Sequence, residues 1–133
     1  MSADKKRKSV VDQYKKILGR NIYSQDMTKR ECVFSPHSDG KYYSDCSSSV
    51  RWAYRMANIG LNYIGGNTVG IYSSKSGKEV KTPIKNGIPT NIKDLRVGDC
   101  LLFAGNDSSR SAYNYCGHIE MVYSISGNTV TLC

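Results

Sequence analysis

From Gly117 to Ile125 apolar and polar residues alternate, Ser126-Gly127-Asn128 supplies a turn, and Thr129 to Cys133 begins a return strand. A two-residue period puts alternate side chains on opposite faces, so the segment is readable only as a β-hairpin. Gly98-Asp99 marks another turn, and Cys100-Leu101-Leu102-Phe103 after it reads as a buried strand. The first half of the chain keeps a different period. Val10, Val11, Tyr14, Ile17 and Leu18 share one helical face, opened by a Ser9/Asp12 capping box and stopped by Gly19. Val50, Ala53, Tyr54 and Ala57 repeat the pattern before Gly60. Helices followed by strands predict an α+β fold, with N-terminal helices packed on a small antiparallel sheet.

The 133 residues suit one domain, 1–133, large enough to bury a core without staples. Residues 1–8, ending in Lys5-Lys6-Arg7-Lys8, read as a basic flexible head. Residues 20–44 read as an ordered loop, with His37 as a surface residue on it. Asn67 or Thr68 caps a short helix through Tyr72, Val80 to Ile84 is a candidate edge strand, and residues 104–116 form a loop. No apolar run is long enough to span a membrane, and the start lacks the apolar stretch of a signal peptide. The net charge of +8 favours a polyanionic partner, such as nucleic acid, anionic membrane or an acidic cell-wall polymer. No motif of basic and aromatic residues supports the nucleic-acid choice.

The chemistry concentrates at Tyr42-Tyr43-Ser44-Asp45-Cys46-Ser47-Ser48-Ser49-Val50. Asp45 is a candidate N-cap, which puts Cys46 in the first turn of a helix. The positive end of the helix dipole favours a thiolate there, and the thiolate is the nucleophile. His118, near the start of the alternating strand, is the candidate base. The Cys46 backbone N–H, unpaired at a helix terminus, points where a tetrahedral oxyanion would form. The other cysteines are 32, 100, 116 and 133, an odd set with no CxxC pair, and Cys100 reads as a small core residue. Cys116 and His118 share a strand face and with Cys32 and His37 form a rival zinc set, but the spacings match no common structural zinc pattern.

In order along the chain, Asp45-Cys46-Ser47-Ser48-Ser49-Val50, Leu95-Arg96-Val97-Gly98-Asp99-Cys100-Leu101-Leu102-Phe103 and Gly117-His118-Ile119-Glu120-Met121-Val122 resemble the three motifs of NlpC/P60 cysteine peptidases. The last also resembles the related CHAP amidases. Asn67-Thr68 fits the short polar segment after the nucleophile helix. Ser48 replaces the family's usual Gly, Val97 its Pro, and the Y-x-W-G-G motif is missing. The resemblance implies a papain-like fold and a peptidoglycan hydrolase with Cys46 as nucleophile and His118 as base. It implies Tyr23, Asp45 and Ser47 at the substrate site, and neither metal nor organic cofactor. The implied bond joins D-Glu to a diamino acid in the stem peptide. The alternatives are an N-acetylmuramoyl-L-alanine amidase and a non-catalytic wall-binding module. The implied partner is peptidoglycan, met by a monomer, with neither nucleic acid nor membrane. The enzyme would reach the wall by export, as a phage endolysin, or by another delivery route. The residue that orients His118 is left open between Glu120, Asn128 and a position past Cys133, the last making the chain an incomplete domain.

Overall fold

Two helices, an intervening loop and a three-stranded antiparallel sheet follow one another in the expected order. The computed structural model describes residues 1–59, 67–74, 77–80, 84–86, 88–90, 92–104 and 116–133. Helix α1 is Ala3–Lys15, and α2 is Cys46–Met56. Short strands β1 (Ile22–Tyr23) and β2 (Tyr43–Ser44) pair in parallel. Helix α3 (Thr68–Ser74) is capped by Asn67, whose Oδ1 accepts from the Gly70 N–H at 2.8 Å. A small ladder joins β3 (Ile84–Lys85) to β4 (Ile88–Pro89). The main sheet has the order β5 (Cys100–Ala104), β6 (Cys116–Ser126), β7 (Thr129–Leu132). Among the described residues no helix is long and apolar enough to cross a membrane.

The core lies between the helices and one face of this sheet. Val10, Val11 and Tyr14 of α1 meet Val50 and Ala53 of α2, and both sets meet Ile119 and Met121 of β6. Ile119 and Met121 are almost wholly buried, and each such side chain contributes about 1.5–3 kcal/mol. Their cross-strand partners Leu102 and Cys100 pack on the same core. Antiparallel partners share a face, so Leu101 with Glu120 and Phe103 with His118 lie on the other one.

The turn before β5 ties α1 to this arrangement. The Gly98 N–H donates to the Val122 carbonyl, and the Val122 N–H to that of Asp99, both at 2.8 Å. Arg7 reaches the Asp99 carboxylate at 2.5 Å, and the Tyr54 hydroxyl donates to the Gly98 carbonyl. Gly98 has φ +88°, and a Cβ there would lie 3.4 Å from the Arg7 carbonyl oxygen.

Several boundaries differ from the sequence reading. Residues 1–8 are not a flexible head, because α1 begins at Ala3 with Ser2 as its N-cap. Ser9 caps nothing, its hydroxyl donating to the Lys6 carbonyl inside the helix. The first helix ends at Lys15, and turns through Ile17 lead to Gly19 at φ +73°. Helix α2 is stopped by Asn58 in the left-handed region at φ 55°; Gly60 lies outside the described residues. Val80 is exposed coil rather than strand, and residues 81–83 of the expected edge strand are also outside the description. The loop expected at 104–116 gives Ala104 and Cys116 to strands, with 105–115 outside the description.

Candidate functional site

Asp45 does what its position predicts. Its carboxylate accepts the Ser48 N–H at 2.9 Å, while the Ser48 hydroxyl accepts the Asp45 N–H at 2.8 Å, closing a capping box. Cys46 is therefore the first residue of α2, half-buried against the core. Among the described residues the Cys46 N–H has no acceptor, as an N-terminal helical amide should not.

The cap is reinforced by a residue the sequence reading did not single out. Arg30 sets Nε 2.8 Å from one Asp45 oxygen and Nη2 3.2 Å from the other, and Nη2 donates to the Ser47 hydroxyl at 2.7 Å. Arg30, Asp45 and Ser47 are 5, 7 and 2% exposed. Burial alone would push the Asp45 carboxyl up, but hydrogen bonds from Ser48 and Arg30 outweigh it and hold it below the usual range. Next along the chain, Glu31 accepts from the Arg51 guanidinium and, at 2.7 Å, from the Trp52 indole. Arg30 and Glu31 thus staple the preceding loop to the first and second turns of α2. The only hint in the sequence was that the helix needs an ordered approach.

Two of the three residues expected at the substrate site are buried: the polar side-chain atoms of Asp45 and Ser47 are turned inward onto Arg30 and the cap. Tyr23 remains accessible, at 66% exposure, with its hydroxyl accepting from Gln25. The β1–β2 ladder pairs it with Ser44, two residues before Cys46. His37 sits in a turn with its Nδ1 3.5 Å from Asp39.

His118 lies on β6, the central strand and the one against which α2 packs. Its ring is half exposed, beside Phe103, and Nε2 is 3.2 Å from Glu120 Oε1. The pair shares one face, as a two-residue period requires. That face is opposite the one where Ile119 and Met121 meet α2. The structure therefore joins His118 to Glu120 and does not join it to Cys46. The β5–β6 register shifts between Phe103 and Ala104, next to His118 on the ladder. Asn128 lies in the turn at the far end of β6, and Cys133 is paired with Met121.

Two of the remaining thiols are less suited to chemistry. Burial pushes Cys100 up to about 12 and Cys133 to about 11. Cys32 lies on the loop, and among the described residues no three His, Cys, Asp or Glu side chains group to hold a metal ion. The Cys116 side chain is outside the description. Two cavities, of about 430 and 360 Å³, share Arg96 and Ile125 near α1 and the β6–β7 turn, away from Cys46 and His118. They are open hollows, and their linings hold no thiol or imidazole. No family model, curated protein or solved structure matches the chain.

Proposed function

We propose that the chain is a thiol hydrolase of the NlpC/P60 type, acting on the stem peptides of peptidoglycan. The observation that carries this reading is the setting of Cys46, at the first position of a capped helix that packs on the strand bearing His118. The order of the three resembling motifs supports it. Cys46 attacks the carbonyl of the bond between D-Glu and the diamino acid, giving an acyl-enzyme and releasing the amine. His118 takes the thiol proton and returns it to the leaving nitrogen, and water then frees the acid. Helical N–H groups at Cys46 face the oxyanion. In the resting arrangement Glu120 lies on Nε2 of the imidazole, on the face away from α2. This chemistry requires His118 to leave the Glu120 face of β6 for the α2 face, and we propose the register shift beside it as the place of that change.

A second reading follows from the placement of His118 and Cys46 on opposite sides of β6. A non-catalytic wall-binding module has no need to bring them together, and its +8 charge suits an anionic wall polymer. Incubation with purified peptidoglycan, followed by mass spectrometry of the soluble fraction, separates the two. The hydrolase reading expects new amino termini on the diamino acid. New lactoyl-alanine breaks would indicate the muramoyl-alanine amidase. Co-sedimentation with no new ends would overturn hydrolysis in favour of the binding module.

A further inference from the structure

An acidic N-cap beside a nucleophilic thiol is a conflict. The carboxylate stabilises the helix through its first-turn amides, yet its charge opposes a thiolate on the next residue and an oxyanion at the same helix end. In this chain the conflict is met by Arg30. Its guanidinium lies against both Asp45 oxygens, at 2.8 and 3.2 Å, and bonds the Ser47 hydroxyl on the other side of Cys46 in sequence. All three side chains are more than nine-tenths buried, so water screens little of either charge. We infer that Arg30 is a positioning residue that neutralises the Asp45 cap, so that the first turn of α2 presents a net positive end to the Cys46 thiolate. The inference rests on Cys46 being the working thiol. A purely structural staple would need no charge set against the cap, and Glu31 already staples the same loop to α2 through Arg51 and Trp52.

The test compares alkylation of Cys46 by anionic iodoacetate and by neutral iodoacetamide, read by peptide mapping on the full chain. The ratio of the two rates reports the local potential and cancels changes in thiol access. Arg30→Met should lower the ratio about three- to tenfold, because one unit of positive charge is taken from the helix end that bears Cys46. Asp45→Asn, which keeps a good N-cap, should raise it by a similar factor. The double variant should return it near the starting value. Glu31→Gln, which loosens the same loop without touching the cap, should leave it within about twofold. Equal ratios in the starting chain and Asp45→Asn, or a shift as large in Glu31→Gln, would overturn the inference. If Arg30→Met does not fold, Arg30→Gln, which removes the charge and keeps an amide donor for Ser47, takes its place. Intact peptidoglycan after incubation with the unaltered chain would defeat the hydrolase reading while leaving this ratio to judge Arg30.

Discussion

Cys46 differs from Cys100 and Cys133 in a way that can be measured directly. The latter two are held as thiols by burial, at about 12 and about 11, whereas Cys46 begins a helix. A limiting dose of iodoacetamide at neutral pH should therefore label Cys46 ahead of both, with Cys100 and Cys133 reacting only in strong alkali. Asp45 gives a second residue-scale expectation. Its folded pKa is lowered, so its contribution is present above the unfolded value of about 3.9 and is lost as pH falls through the folded one. The stability gap between the starting chain and Asp45→Asn should be constant above about pH 5 and shrink below about pH 4, in urea melts across that range. Cys46 and Asp45 were legible because a cap and a first turn are local in sequence. Arg30 was not, because its partners lie 15 and 17 positions on, with no periodic signal between.

At the scale of elements, the capping box and the Gly98 turn are the joints that hold α2 and α1 on the sheet. Asp45→Ala removes the cap and leaves Arg30 buried without a counter-charge, so it should cost about 3–5 kcal/mol. Ser48→Ala, which removes the hydroxyl bonded to the Asp45 backbone, should cost about 1 kcal/mol. Gly98→Ala should cost about 1–2 kcal/mol from its positive φ, and more if the Arg7 backbone cannot give way. Denaturant melts of the three variants check the order. The hairpin, the strand after Gly98 and the second helix were readable because their periods are clean. The start of α1 was not. Lys5 to Lys8 look like a solvated run, yet Arg7 finds Asp99, 92 positions away, and only tertiary contact reveals that. Asn58 ended α2 where Gly60 was expected, since an Asn also tolerates the left-handed region.

For the whole molecule, sequence order foretold that a cysteine helix would pack on a histidine strand, and it does. Which face His118 takes was not readable, because alternation fixes only that His118 and Glu120 share a face. The burial of Ile119 and Met121 decides which one meets the helices. Catalysis by Cys46 and His118 is thus the central claim, and the strand rotation it requires makes it demanding. The most direct measurement is the rate of new amino termini released from purified peptidoglycan by the starting chain, Cys46→Ala, His118→Ala and the double variant, with melting curves matched. The expected result is release by the starting chain and near-complete loss in each single variant, with no further loss in the double because nucleophile and base act as a unit. Normal release by a folded Cys46→Ala or His118→Ala chain would contradict the claim.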